Sequence, residues 1–263
     1  MTNKYPTCVG FFYFYHMDIK QYLDSTYLKT ASQAGVTKAA NLEIVRNCIQ
    51  EAIDEKFKLI MIRPEMVKLA KEMITAQHSK VDIGTVIDFP EGNGTLEAKL
   101  KEAAQAIADG ADDLDFVVDY EAFKRGETEW VKQQVLEGTK LGLSHHKVVK
   151  WIIEVAALND HQIVQLSALI KNVVVANFKE NQYDFVFVKS STGFYETENN
   201  KPNGATVPTI KLMLENSFPL PVKAAGGVRT YEEAVTMIQL GVKRIGTSSA
   251  KVIADGGVSK NEY

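Results

Sequence analysis

Several classes of protein are argued against by what this chain has little of. Its two cysteines, Cys8 and Cys48, in 263 residues build no disulfide framework and show no metal-ligand spacing. The five histidines, His16, His78, His145, His146 and His161, form no ligand set either, which argues against a metal-dependent enzyme. Charge of one sign is also missing. Thirty basic residues face 33 acidic ones, a formal net charge of −3, so no basic field marks a nucleic-acid binder. No run is long and apolar enough for a membrane helix. The aromatic stretch "TCVGFFYFYHM" (7–17) is too short to span a bilayer. It follows a single Lys4 and precedes no clear small-residue cleavage site, so it is expected to pack on the domain and not to act as a signal peptide. Prolines number seven, and no Pro/Gly/Ser-rich linker, short-period repeat or low-complexity segment divides the chain.

What remains is an ordinary globular composition, 45% apolar and 24% charged. Low cysteine usage fits a reducing, cytoplasmic location. Short β-like runs recur at "QYLDST" (21–26), "KLIMIR" (58–63), "VDIGTVI" (81–87) and "DDLDFVV" (112–118). Four more stand at "KVVKWIIEV" (147–155), "YDFVFVK" (183–189), "LPVKAAG" (220–226) and "KRIGTS" (243–248). Amphipathic helical stretches separate them, such as "TLEAKLKEAAQAIADG" (95–110) and "TYEEAVTMIQLG" (230–241). The second opens on a Thr cap and stops at Gly241. Strict alternation implies parallel strands with helical crossovers. Eight units in a chain near the roughly 250 residues of such folds favour a single-domain (β/α)8 TIM barrel over an open sheet. The expected organisation is an N-terminal segment over 1–20 packed on the barrel, a barrel over 21–252 and a mobile tail over 253–263.

In a barrel the strand ends carry the chemistry. Lys189 and Lys223 stand at the ends of strands six and seven, which are neighbours. Alternation puts Lys150 and Glu154 of "VVKWIIEV" on the face away from the apolar Val149, Trp151, Ile153 and Val155, hence inward. In "DDLDFVV" it turns Asp115 inward as well, one strand from Lys150. Three lysines then exceed the two inward acids nearest them, an excess that structural pairing does not need. Burial and a second cation both favour a neutral amine, and a neutral lysine attacks carbonyls to form a Schiff base. Late strand ends also collect glycine and hydroxyl groups, in "SSTG" (190–193), "AAGGV" (224–228) and "IGTSS" (245–249). Gly226, Gly227, Gly246, Ser248 and Ser249 suit a phosphate cradle, where backbone N–H groups approach an anion. They also suit plain tight turns.

Together, "YLDSTYLK" (22–29), "DLDFVVDY" (113–120), "VVKWIIEV" (148–155), "VKSSTGF" (188–194), "NGAT" (203–206), "VKAAGGVRTYEEA" (222–234) and "IGTSS" resemble the deoxyribose-phosphate aldolases. The resemblance implies a class I aldolase needing neither metal nor other cofactor, which interconverts 2-deoxyribose 5-phosphate with glyceraldehyde 3-phosphate and acetaldehyde. It assigns the Schiff base to Lys189, depression of its pKa to Lys223, proton relay through water to Asp115 and support of that network to Lys150. Asp24 and Thr26 match the family's D-x-T and, with Gly193 and the glycine and serine residues above, are expected to bind substrate. Tyr263, the last residue, matches a tyrosine on a mobile tail that assists proton transfer at the enamine carbon. The implied partners are small phosphosugars and aldehydes, with no nucleic acid and no membrane, and a homodimer is compatible with them. Two departures stand out. Met61 of "MIRP" occupies the place of a common family cysteine and is read as core packing. Asp88 stands where small or amide residues are usual. Another Schiff-base phosphosugar aldolase, a transaldolase or a non-catalytic phosphate-binding barrel shares some of these features.

Overall fold

A computed structural model of the protein describes residues 17–198 and 202–257. The N-terminal aromatic stretch before Met17 and the C-terminal Tyr263 lie outside the described residues. Eight parallel strands close into a barrel in chain order: β1 (Leu23–Tyr27), β2 (Leu59–Ile62), β3 (Asp82–Ile87), β4 (Asp113–Val117), β5 (Val148–Ile152), β6 (Val186–Lys189), β7 (Val222–Ala225) and β8 (Arg244–Thr247). Closure is made by β1, which pairs with β2 on one side and β8 on the other. The helices are α1 (Lys38–Glu55), α2 (Val67–Ala76), α3 (Leu96–Asp109), α4 (Tyr120–Lys124), α5 (Thr128–Ser144), α6 (Asp160–Asn177), α7 (Val207–Ser217), α8 (Tyr231–Leu240) and α9 (Ala250–Ala254). Among the described residues no helix is long and apolar enough to cross a membrane.

Local chemistry starts the helices. Thr37, Thr95, Thr206 and Thr230 each cap a helix by accepting a backbone N–H three residues on. Glu233 completes a capping box with Thr230, and Gly241 ends α8 in the left-handed region at φ +112°. The outward faces of the strands then meet the helices. Phe116 of β4 stacks on Trp151 of β5 at 4.9 Å, and the Trp151 Nε1–H donates to Thr139 Oγ1 of α5 at 3.0 Å. A Cβ at Gly138 would lie 2.8 Å from the Trp151 ring, so α5 can approach only because that position is glycine. With the apolar residues turned outward, the alternate positions of β4 and β5 are left to point charges into the barrel.

Several expected boundaries shift. Strand five was expected to reach Val155, but β5 stops at Ile152, and Glu154 adopts left-handed backbone at φ +52°. Its carboxyl therefore turns to the loop after β6 and does not join Lys150. Tyr183–Phe185, expected in strand six, belong to a 3-10 turn. There the Tyr183 hydroxyl lies 3.3 Å from the Val175 carbonyl and 3.4 Å from that of Phe178, at the end of α6, and can donate to either, a helix-end contact that residue alternation does not encode. The last helix, α9, runs through Ala254 and so crosses the boundary expected at 252–253.

Candidate active site

Asp115, in the middle of β4, is the hub of the barrel interior. Its Oδ1 accepts from Lys150 Nζ at 2.8 Å, and its Oδ2 accepts from Lys189 Nζ at 2.9 Å and Lys223 Nζ at 3.0 Å. Strand register brings them together: Asp115 is level with Lys150, and Lys189 with Lys223. Lys150 also donates to Asp113 Oδ2 at 2.6 Å. Lys223 lies 2.5 Å from Asp24 Oδ2. Arg244 donates through Nε to Asp24 Oδ1 at 2.7 Å, and its Nη2 is 3.4 Å from Asp113. Asp113 and Arg244 were not picked out from the sequence, although each sits at the alternate, inward position of its strand. All seven groups are buried.

The charge balance of this cluster singles out one amine. Four cations meet three carboxylates, so complete neutrality needs one cation to lose its proton. Burial would raise Asp115, yet the three lysines hold it well below the usual carboxylate range. Burial opposes Asp24 in the same way, and Arg244 and Lys223 bring it below its ordinary value. Lys150 is desolvated, but Asp113 and Asp115 raise it. Lys189 moves the other way from Lys150, down to about 8, first through burial, with Asp115 opposing and Lys223 adding to the shift. It is also the last residue of β6, at the mouth of the barrel. A lysine with a reachable neutral form, next to an ionised carboxylate, can attack a carbonyl and exchange protons with its neighbour.

Hydroxyl bonds tie the loops after β6, β7 and β8 together above this cluster. Ser190 Oγ donates to the Ala225 carbonyl and accepts the Ala225 N–H, both at 2.8 Å. Thr247 Oγ1 donates to the Val228 carbonyl at 2.7 Å and accepts the Ser249 N–H at 3.0 Å. Gly226 and Gly227 are left-handed at φ +83° and +85°, a pair of conformations that leaves successive backbone N–H groups free of side-chain cover. Gly193 is also left-handed. Ser248 and Gly227 are exposed, and Ser249 is buried. Three expected binding residues sit elsewhere. Asp24 lies within the ion cluster with no exposed surface, and the half-buried Thr26 turns its hydroxyl to the Asp24 carbonyl at 2.9 Å. Gly246 lies inside β8, where a Cβ would come within 3.0 Å of Lys223 Cε, so its smallness makes room for that lysine.

An apolar wall stands beside the mouth. Met61, fully buried on β2, packs with Leu28, Leu59 and Val86, and Phe89 and Phe194 lie against them. The two phenylalanine rings meet edge to face at 5.1 Å. Arg63 covers Phe89 at 4.9 Å and donates to the Leu28 carbonyl at 2.7 Å. Arg63 and this wall escaped the sequence reading, because stacking across three loops leaves no periodic signal.

A closed parallel barrel holding a proton-poor lysine at its mouth, beside a carboxylate and a glycine-lined rim, has the architecture of the barrel enzymes that act on carbonyl compounds through an amine. The chain belongs to the DeoC/LacD family of aldolases, whose family model matches residues 21–259. It is 38% identical over 241 residues to a deoxyribose-phosphate aldolase of Thermococcus gammatolerans, covering 91% of this chain and 96% of that one. Among solved structures, an aldolase designated QR15 superposes with a TM-score of 0.73 at 30% identity, over 91% of this chain and 95% of that one. The deoxyribose phosphate aldolase of Aeropyrum pernix, described as tetrameric, superposes with a TM-score of 0.71 at 29% identity, over 90% of this chain and 89% of that one.

Proposed function

We propose that the protein is a class I aldolase that reversibly cleaves 2-deoxy-D-ribose 5-phosphate to D-glyceraldehyde 3-phosphate and acetaldehyde. The observation that carries this reading is the Lys189 amine, brought to about 8 at the barrel mouth while bonded to Asp115. Neutral Lys189 adds to the C1 carbonyl, and loss of water gives an iminium. Removal of the C3 hydroxyl proton then lets the C2–C3 electron pair move to C2 and the iminium nitrogen. Glyceraldehyde 3-phosphate leaves, and an enamine stays on Lys189. Protonation at C2 and hydrolysis release acetaldehyde and restore the amine. Asp115 shuttles these protons through water, Lys223 favours the neutral amine, and Lys150 keeps Asp115 ionised and oriented.

The phosphate is proposed to lie against the backbone of Gly193, Gly226 and Gly227, with Ser248 and Ser249 as further donors. Asp24 acts through Lys223, and Thr26 and Gly246 shape the surrounding packing. Tyr263 is proposed to supply the phenol that assists proton transfer at the enamine carbon. The working assembly is proposed to be a homodimer in a cytoplasmic setting. The exposed Phe185 and Phe218, which precede β6 and β7, are apolar surface that such an interface would cover. Sedimentation as a monomer at assay concentration would reject the dimer.

Acetaldehyde release from 2-deoxyribose 5-phosphate, read with a coupled reductase, tests the activity. Unphosphorylated deoxyribose should be used far less efficiently. Charge-assisted hydrogen bonds are worth roughly 1.5–3 kcal/mol each, so losing two predicts a drop of well over tenfold. Equal efficiency with both sugars would remove the phosphate site, and activity only on other phosphosugars would move the protein to another aldolase specificity.

A further inference from the structure

Glu154 is a buried carboxyl group that no step above uses. It stands two residues beyond β5 in left-handed backbone, φ +52°, a conformation that a non-glycine residue holds only when its surroundings compensate. The compensation lies in the loop that follows Lys189. Glu154 Oε1 is 2.6 Å from Ser191 Oγ. Its Oε2 accepts the Thr192 N–H at 3.0 Å and the Thr192 hydroxyl at short range.

Counting protons in this network decides the state of the carboxyl. Ser191 Oγ is 2.6 Å from Glu154 Oε1 and also 2.6 Å from the Asn203 carbonyl, and it accepts the Gly193 N–H at 3.1 Å. A hydroxyl carries one hydrogen. If Glu154 were ionised, Ser191 would face two close acceptors with one proton, and one contact would be oxygen against oxygen with nothing between. A proton on Oε1 resolves this. Glu154 donates to Ser191, Ser191 donates to Asn203, and Oε2 remains an acceptor for both Thr192 groups.

The charged surroundings agree with that count. The ionisable side chains lining the small cavity beside Glu154 are Glu91, Glu196, Tyr120 of α4 and Tyr195, and none of these is a cation that would hold the carboxyl ionised. Burial raises the Glu154 carboxyl above its ordinary value and outweighs the hydrogen bonds it accepts, those of the Thr192 hydroxyl, the Thr192 N–H and the Ala156 N–H among them. The chain of contacts continues to the rim. Beyond Asn203, the Ala205 N–H donates to the Gly226 carbonyl at 2.8 Å. A Cβ on Gly204 would lie 2.3 Å from that same carbonyl.

We propose that Glu154 is a neutral carboxylic acid in the working enzyme, a positioning residue whose proton locks the 190–194 loop and the 203–205 segment against Gly226. This rests on the reading of those loops as the phosphate rim. Infrared difference spectra of wild type minus Glu154→Gln at neutral pH should contain the carbonyl band of a protonated carboxylic acid. With 2-deoxyribose 5-phosphate, Glu154→Ala loses the bonds to both Ser191 and Thr192 and should raise KM about tenfold or more. The Gln variant, whose amide reproduces one donor and one acceptor, should return KM to within about threefold of wild type. In both variants acetaldehyde should still be trapped on Lys189 by borohydride, which separates loop positioning from loss of the fold. Absence of the band, or a Gln variant no better than Ala, would overturn the proposal. A wild-type enzyme indifferent to the 5-phosphate would take down the rim reading and the coupling with it, and the infrared result would still stand on its own.

Discussion

At the scale of single residues the account turns on who holds the proton among four cations and three carboxylates. Lys189 at about 8 is neutral in roughly a tenth of molecules at pH 7, enough to start each turnover. Lys223 is its nearest repelling charge and shares Asp115 Oδ2 with it. Lys223→Met removes that repulsion and leaves more of Asp115 to attract the Lys189 proton. Both effects raise the Lys189 pKa, so the rising limb of the kcat/KM profile should move to higher pH, and activity at pH 7 should fall about tenfold for each unit of movement. A profile that falls in height without moving would refute the electrostatic role. Met61 poses a separate question of durability. Its thioether fills the wall beside the mouth, whereas a thiolate there would attack the unsaturated aldehyde formed from two acetaldehyde molecules. Cys48 is a poor substitute target, because burial and then Glu51 push its thiol up to about 11. Wild type should therefore retain more activity than Met61→Cys after long incubation in concentrated acetaldehyde. Equal loss in both, or inactivation traced to an adduct on Cys48, would sink that idea.

At the scale of elements, the connection from β3 to α3 explains the Asp88 departure. Asp88 is left-handed at φ +55°, which is why small or amide residues suit the place. Its carboxylate compensates by accepting the Gly94 N–H at 2.7 Å and by lying 3.3 Å from Lys99 Nζ. Lys99 is buried on α3 and donates to the carbonyls of Gly92 and Val117 at 2.6 and 2.8 Å, pinning the loop that carries Phe89 to the end of β4. Burial lowers the Lys99 pKa, and Asp88 opposes that. Asp88→Asn keeps the tolerated backbone and the Gly94 bond but withdraws the opposing charge. It should destabilise the protein by about 1.5–3 kcal/mol near neutral pH. A lysine whose folded pKa is depressed weighs against folding while it is charged, and that penalty fades as pH rises through its folded pKa. The loss in Asp88→Asn should accordingly shrink in alkaline denaturant titrations, and a loss constant with pH would contradict the ion-pair explanation. Elements of this kind were only partly legible. The threonine caps and Gly241 announce α3 and α8 locally. Asp88 and Glu154 look like ordinary strand-end acids until their backbone turns left-handed, and alternation has no symbol for that turn.

At the scale of the whole molecule, closure of the barrel is what assembles the site. Eight alternating strand and helix units were readable because each repeats the same local physics, and the inward face of β4 and β5 followed from where Leu114, Phe116, Val149 and Trp151 had to go. Lys150, Lys189, Lys223 and Asp115 were legible together for that reason. The pairing of Asp24 with Arg244 spans nearly the full chain and exists only because β8 returns to β1. Neither residue shows its partner until the ring is closed. The same closure places the Lys189 amine, with its reachable neutral form, at the open end, and every step of the proposed reaction passes through it. Borohydride reduction in the presence of acetaldehyde, followed by peptide mass mapping, examines that amine directly. The account predicts one ethyl group per chain, on Lys189, and none in Lys189→Ala. Stoichiometric ethylation of Lys223 or Lys150 with Lys189 unmodified, or no adduct in an enzyme that still cleaves the phosphosugar, would contradict it.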